Sequence, residues 1–283
     1  MATVAGLLDD ATARIAAALG LDKREARLEA RTLAAFAWNV SPAWLIAHDT
    51  DPLTDAQSAQ FQTLLTRRLV GEPVAYLTGT REFYGRPFRV SPDVLIPRPD
   101  TELLVELALE RMPPDQAMDV LDLGTGSGCI AITLALERPH ARVTAVDRSA
   151  AALAIARHNA GILDARVAFQ PGDWFDALAG RRFGLIASNP PYVPAADPHL
   201  ARGDVRFEPL GALAAGNDGL DDLRQLIAAA RAHLVPGGTL LLEHGHDQAE
   251  AVVALLQENG YAHPQSWPDL AGILRVSGAI VSE

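Results

Sequence analysis

From Asp115 onward, short apolar runs alternate with helix-like stretches, and this alternation restricts the fold more than any other feature of the chain. Ala117 to Asp122, Val143 to Asp147, Val167 to Gln170, Phe183 to Ser188 and Thr239 to His244 have the length and apolar content of buried strands. Between them, Cys129 to Glu137, Ala150 to Asn159 (capped by Ser149), Leu220 to Leu234 and Gln248 to Asn259 have helical patterning. Strands separated by helices return parallel to one another, because a crossover takes the place of a tight hairpin. The expected core is therefore an α/β, doubly wound, mostly parallel sheet, with ligands bound outside the carboxyl ends of its strands.

The chain before this region has a different character. Val4 to Leu19 carries apolar residues at helical spacing, and Asp22 stands three residues before Glu25, the spacing of a capping box that opens a helix toward Trp38. Ser41-Pro42 combines an N-cap with a first-turn proline, and Thr54 can cap a fourth helix running to about Val70. Glu82-Phe83-Tyr84 and Phe88-Arg89-Val90 flank Gly85-Arg86-Pro87, which reads as a β-hairpin. Asp100 or Thr101 then caps a helix through Arg111. The division expected is a small N-terminal helical bundle over residues 1–78, a β-hairpin linker over 79–98, and a large α/β domain over 99–283.

At 283 residues the chain is long enough for two cores, and no stretch reaches the ~18 uninterrupted apolar residues of a membrane span. Met1-Ala2-Thr3-Val4 lacks a basic region followed by an apolar one, so the expected compartment is the cytoplasm. The single cysteine, Cys129, excludes an internal disulfide and a cysteine-rich metal site. A net charge of −11 works against a phosphate-gripping surface, so no stable nucleic-acid binding is expected.

Asp122-Leu123-Gly124-Thr125-Gly126-Ser127-Gly128 joins the first strand of the series to its helix. Glycine at alternate positions lets the backbone turn tightly and approach a ligand, and the helix N-terminus behind it offers free N–H groups. Position 129 is cysteine, so the G-x-G-x-x-G dinucleotide fingerprint is incomplete, and no Gly-Lys-Ser/Thr of a phosphate loop follows. The D-x-G-x-G-x-G spacing resembles the first motif of class I methyltransferases, in which the loop holds the methionine part of S-adenosylmethionine. Asp147, ending the second strand, can accept hydrogen bonds from both ribose hydroxyls. Asp173 and Trp174 follow the third strand, where Trp174 can stack on adenine and Asp173 can accept from its amine. Gly124, Thr125, Gly126, Ser127, Gly128, Asp147, Asp173 and Trp174 form the expected cofactor site.

Asn189-Pro190-Pro191-Tyr192 follows the fourth strand. The prolines fix φ and remove N–H donors, leaving the Pro190 carbonyl as a rigid acceptor beside the Asn189 side-chain carbonyl. Two such acceptors can hold both hydrogens of an NH₂ group, and Tyr192 can stack on a planar substrate. An amide nitrogen is a poor nucleophile, so positioning carries much of the rate, and no strong base or metal is required before attack.

These residues resemble the HemK/PrmC family of release factor N5-glutamine methyltransferases over nearly the whole chain. The resemblance rests on Gly71-Glu72-Pro73-Val74-Ala75-Tyr76, Glu82-Phe83-Tyr84, the run Leu95-Ile96-Pro97-Arg98-Pro99-Asp100-Thr101-Glu102, Asp204-Val205-Arg206-Phe207-Glu208-Pro209 and Leu242-Glu243-His244-Gly245. It implies methyl transfer from S-adenosylmethionine to the glutamine of a Gly-Gly-Gln tripeptide in class 1 peptide chain release factors. It further implies that Asn189 binds both cofactor and substrate amide, and that the helical N-terminal domain docks the release factor.

Three other readings share parts of this pattern. A ribosomal-protein glutamine methyltransferase would use the same Asn-Pro-Pro-Tyr chemistry, and the Gly71–Tyr76 signature favours the release factor. An adenine-N6 DNA methyltransferase would need a base-flipping surface, for which an acidic chain with a small bundle offers little. A non-enzymatic cofactor-binding module would have no need of Asn189 and Tyr192. His244 and His246 have ligand spacing but no evident third ligand, so a packed histidine is the simpler expectation, and Cys129 is expected as a small buried side chain. Arg98 and Glu102 fit either the edge of the cleft or a structural ion pair.

Overall fold

The computed structural model describes residues 3–282. Its contacts divide the chain into two compact units, one of residues up to Thr80 with Ala201–Phe207, the other of Arg81–Leu200 with Glu208 onward.

The first unit is helical. Thr3 caps α1 (Val4–Leu19), which ends on the left-handed Gly20, and the Asp22–Glu25 capping box opens α2 (Lys23–Trp38). Ser41 caps α3 (Pro42–Ala47), and a second capping box, Thr54 with Gln57, opens α4 (Asp55–Leu69). A short α5 (Val74–Thr78) follows Pro73. Ile15, Leu33, Phe61 and Leu65 meet in its core. Arg68 is buried there, in a bidentate pair with Glu29 at 2.7 and 2.8 Å and a third bond to Asp204 at 2.8 Å. Paired on several sides, its guanidinium keeps its charge out of water. Arg206 bonds the Val70 carbonyl and fills the space that a Cβ on Gly71 (φ +95°) would need.

The second unit opens with a hairpin, β1 (Thr80–Phe83) and β2 (Arg86–Arg89). Its turn is Tyr84-Gly85, with φ of +51° and +72°, rather than Gly85-Arg86-Pro87. Two consecutive left-handed residues match the twist of the flanking strands, so Pro87 lies within β2. Glu102 Oε1 accepts from Tyr84 N–H at 2.9 Å and Glu82 Oε1 from Gly85 N–H at 3.0 Å, which holds the strained turn. Then come α6 (Thr101–Arg111), β3 (Asp119–Leu123), α7 (Cys129–Glu137), β4 (Arg142–Asp147), α8 (Ala150–Ile162), β5 (Val167–Pro171) and β6 (Phe183–Ser188). After short 3-10 turns the chain continues through α9 (Asp221–Ala230), β7 (Leu234–Glu243), α10 (Ala249–Glu258), β8 (Ala262–Pro268) and β9 (Leu274–Ile280).

The sheet has the order β5-β4-β3-β6-β7-β9-β8, parallel from β5 to β7, with β9 antiparallel to both neighbours. It is buried on both faces: Val120 of β3 packs in one core with Leu104 and Ile132, while Leu121 and Leu123 pack in the other with Leu223 and Leu226. The fold is the class I methyltransferase arrangement anticipated above. The last two strands were not anticipated. Pro264, Pro268 and the left-handed His263 (φ +52°) interrupt the alternation of the edge strand β8. In β9, Gly278 stands where a Cβ would come within 2.5 Å of the Leu240 carbonyl, so close packing replaces an apolar side chain there. The helix expected to reach Leu234 stops at Ala230, and β7 starts at Leu234, ahead of Pro236-Gly237-Gly238, which obscure its strand pattern.

Candidate active site

β3 and β6 lie side by side with Leu123 opposite Ser188, and Ser188 Oγ donates to the Leu123 carbonyl at 2.7 Å. Chain order reverses between these two strands, which is where a doubly wound sheet opens a crevice. The glycine loop leaves one strand and Asn189-Pro190-Pro191-Tyr192 the other. A cleft there is lined by Gly124 to Ser127, Asp147, Asp173, Trp174, Asn189 and Pro191, all expected from sequence. The segment from Asp93 to Thr101 and the loop around Pro209 and Gly211 close it from other sides.

The loop is held by its own chain. Gly124 and Thr125 N–H both donate to the Val146 carbonyl, at 2.9 and 3.0 Å. Asp122 Oδ2 accepts from Thr125 Oγ1 at 2.6 Å and from Ala131 N–H at 3.2 Å, while its Oδ1 has no hydrogen bond among the described residues. Burial, reinforced by the nearby Asp147 charge, pushes the Asp122 carboxyl up to about 7. Gly128 (φ +84°) lies behind the cleft wall, where a Cβ would stand 2.8 Å from Ile132 Cδ1 and 3.1 Å from Ala156 Cβ. Its absence permits the close approach of α7 and α8.

Asp147 has a double duty. Its Oδ2 accepts from Gly126 N–H and its Oδ1 from Ser149 N–H, each at 2.8 Å, so one carboxylate ties the glycine loop to the start of α8. Each oxygen keeps a lone pair for a further donor. Asp173 is exposed at the rim. Trp174 is buried, with φ of +47°, and its indole lies against the position that a Cβ on Gly124 would take, at 3.4 Å. It therefore serves both the core around Leu121 and Leu123 and the cleft wall.

On the β6 side, Asn189 Nδ2 donates to Thr101 Oγ1 at 3.2 Å, and its Oδ1 makes no hydrogen bond among the described residues. The Pro190 ring is buried, and its carbonyl accepts no hydrogen bond among the described residues. Tyr192 is placed differently from the expected stacking face. Its side chain does not line the cleft; its hydroxyl donates to Glu243 Oε1 at 3.4 Å, and burial raises its pKa. Gln248 Nε2 donates to the Tyr192 carbonyl at 3.0 Å, and Tyr192 N–H donates to Leu213 O at 3.1 Å.

One supporting residue, Asn159, had no sequence signal, and others stood in the quoted runs without a settled role. Asn159, buried in α8, accepts from Arg89 N–H at 2.8 Å and donates to Arg89 O and Ser127 O at 3.0 and 2.8 Å. Glu208 accepts from Ile96 N–H at 3.0 Å and pairs with Arg98, joining two walls of the cleft. Glu102 points to the hairpin turn, as described above. His244 is buried with Nδ1 at the Gly245 carbonyl and Nε2 at Ser277 Oγ, and burial lowers its pKa. Burial likewise pushes the Cys129 thiol up to about 12. No cluster of three or more metal-ligating side chains occurs among the described residues.

A parallel doubly wound sheet with a glycine-lined crevice at its switch point, completed by Asn-Pro-Pro-Tyr, defines a class I methyltransferase. Residues 7–79 match the PrmC N-terminal domain model and residues 100–202 the methyltransferase small domain model. The release factor glutamine methyltransferase of Bordetella pertussis is 56% identical over 89% of this chain and 94% of its own length. That of Burkholderia pseudomallei is 52% identical over 89% and 90%. A methyltransferase crystal structure from Pyrococcus furiosus shares the fold, with a TM-score of 0.55 at 18% identity over 78% of this chain and all of its own. The chain belongs to the release factor glutamine methyltransferase family.

Proposed function

We propose that the protein transfers a methyl group from S-adenosylmethionine to the side-chain amide nitrogen (N5) of the glutamine in the Gly-Gly-Gln motif of class 1 release factors. The observation that carries this reading is the pair of unengaged acceptors at the end of β6, Asn189 Oδ1 and the Pro190 carbonyl. Two fixed acceptors match the two hydrogens of a primary amide and would leave its nitrogen facing the glycine loop. Family membership names the same chemistry.

The residues present fit the cofactor. Asp147 retains one lone pair on each oxygen for vicinal hydroxyls, and Asp173 stands at the rim for an amine. Gly124, at φ +70°, lines the cleft beside Trp174 in a conformation that favours glycine. When bound, S-adenosylmethionine supplies an electrophilic methyl group on a sulfonium. The chain's part is to orient and to exclude water. Thr101 fixes the Asn189 amide, the prolines fix the neighbouring carbonyl, and both acceptors hold the N–H groups as they become more acidic.

The helical unit is the proposed docking surface for the release factor, and no nucleic-acid or membrane partner is proposed. Among the described residues no helix is long and apolar enough to cross a membrane. The test offers three purified acceptors with labelled S-adenosylmethionine: a release factor, its Gly-Gly-Gln→Gly-Gly-Ala variant, and ribosomal proteins. Labelling of the intact release factor alone is expected. Labelling of ribosomal protein would overturn the partner, and labelling of the Gly-Gly-Ala variant would overturn the target residue.

A further inference from the structure

A short turn joins β8 to β9 at one end of the sheet. β9 runs antiparallel to β7, with Val276 opposite Glu243, the last residue of β7, so the turn lies beyond the carboxyl ends of the parallel strands. Asn189 and the glycine loop leave the sheet on that same edge. β9 stands two strands from β6, a lateral step of ~10 Å at ordinary strand spacing. The turn presents Leu270, Ala271, Gly272, Ile273 and Leu274, all exposed and none with a polar side chain. Leu270 is 111% exposed, and Ile273 and Leu274 are each 38% exposed.

The tip is held in one shape by its own chain. Asp269 Oδ1 accepts from Ala271 N–H and Ile273 N–H, each at 2.9 Å, and Asp269 N–H donates to the Ile273 carbonyl at 2.8 Å. Gly272, at φ +82°, closes the turn by donating to the Asp269 carbonyl at 3.0 Å. A turn tied at so many points loses little freedom when a partner seats on it. Its outward side chains add nothing to the core, and contiguous apolar exposure marks an interaction site where a lone exposed leucine would not. Arg275 joins the tip to the reaction site: its Nε lies 3.2 Å from Asp269 Oδ2 and 3.6 Å from Asp100 Oδ2. Asp100 precedes Thr101, whose hydroxyl holds Asn189 Nδ2 at 3.2 Å.

We propose that the tip at residues 270–274 is a docking surface for the protein substrate, seating an apolar patch of the release factor that lies beside the glutamine delivered to Asn189. The inference rests on the release-factor reading of the site. A standard protein interface covers ~800 Å² a side, a disc of ~16 Å radius, so one centred on Asn189 extends over the tip. The tip therefore continues the surface that a folded substrate already has to cover. Size argues against a second copy of this chain as the occupant, since a stable dimer takes ~20–30 residues a side and the tip offers a run of five. The two surfaces divide the work. The cleft recognises the amide and carries the chemistry, while the tip adds affinity for the folded protein that bears it. Such a contact is made equally before and during methyl transfer, so it lowers KM without changing kcat.

The experiment measures kcat and KM on an intact class 1 release factor for wild type, Leu270→Asp, Leu270→Ser and Leu270→Met at saturating S-adenosylmethionine. Calorimetry gives the affinities for S-adenosylmethionine and for the release factor, and sedimentation gives the oligomeric state. Leu270→Asp and Leu270→Ser are each expected to raise KM and weaken release-factor binding by about tenfold or more, the loss of one buried apolar anchor. kcat, cofactor affinity and thermal melting should stay at wild-type values, because Leu270 is exposed in the free protein. Leu270→Met, which keeps an apolar side chain, should retain most of the wild-type affinity. A wild-type KM in Leu270→Asp and Leu270→Ser refutes the docking surface, as does a loss confined to kcat. A dimer that Leu270→Asp dissociates without moving KM would give the tip to a second copy instead and overturn the proposal. If wild type leaves the release factor unmethylated, the underlying reading of the site fails.

Discussion

Replacing Asp147 by asparagine isolates the double duty of that carboxylate. The two side chains have the same shape, so packing is preserved, but asparagine offers one acceptor where aspartate offers two. Gly126 N–H and Ser149 N–H each point at a different oxygen from 2.8 Å. Whichever way the amide is turned, its NH₂ group confronts one of these N–H groups. One charge-assisted hydrogen bond is lost, at roughly 1.5–3 kcal/mol, and the second is weakened by loss of the charge. Two consequences are expected. Thermal unfolding of the ligand-free protein should shift down by several degrees, since about 1 kcal/mol corresponds to ~2–4 °C for a unit of this size. S-adenosylmethionine should bind about 10- to 150-fold more weakly by titration calorimetry, because the variant also offers one acceptor fewer to the ligand hydroxyls. Unchanged affinity together with unchanged melting would refute the assignment of Asp147 to both loop and ligand. Unchanged affinity with lowered melting would leave only the structural half.

Further outcomes follow from the same geometry. Asn189→Ala should nearly abolish turnover while leaving S-adenosylmethionine affinity within about threefold, checked by single-turnover assay and calorimetry; turnover at the wild-type rate would remove the clamp from the mechanism. Gly128→Ala should cost roughly 2–5 kcal/mol in denaturant unfolding, combining left-handed strain with the contacts at Ile132 and Ala156. Asp122 and Glu243 both have folded pKa values raised to about 7, so the folded state keeps protons that the unfolded state has released above about pH 4.5. Stability of the ligand-free protein should therefore fall as pH rises from about 4.5 to 7 and level off above, and Glu243→Gln should flatten part of that slope. A wild-type slope of the opposite sign would mean that these carboxyls are ionised throughout.

Legibility in the sequence followed the range of the interactions involved. The four N-terminal caps at Asp22, Ser41, Thr54 and Ser149 form as read, because each closes its bond within three residues. The inner parallel strands β3, β4 and β6 were legible because burial on both faces leaves continuous apolar runs. The cleft residues Gly124 to Ser127, Asp147 and Asn189 stand together because the strand ends that carry them are paired, which alternation alone implies. Contacts decided by distant partners were not legible. Asn159 looks like an ordinary helical asparagine until it meets Ser127 and Arg89, and Tyr192 is drawn from the cleft by Glu243, 51 residues away. β9 pairs with β7 and the edge strand β8 pairs with β9, and their short, proline- and glycine-interrupted runs carry little pattern of their own.

Methylation of a glutamine side-chain amide by this cleft can be read by tandem mass spectrometry of a release factor incubated with the protein and S-adenosylmethionine. A single added methyl group is expected on the side-chain nitrogen of the Gly-Gly-Gln glutamine, absent when Asn189→Ala replaces wild type. A methyl group on any other residue or on the backbone, or its undiminished appearance with Asn189→Ala, would contradict it.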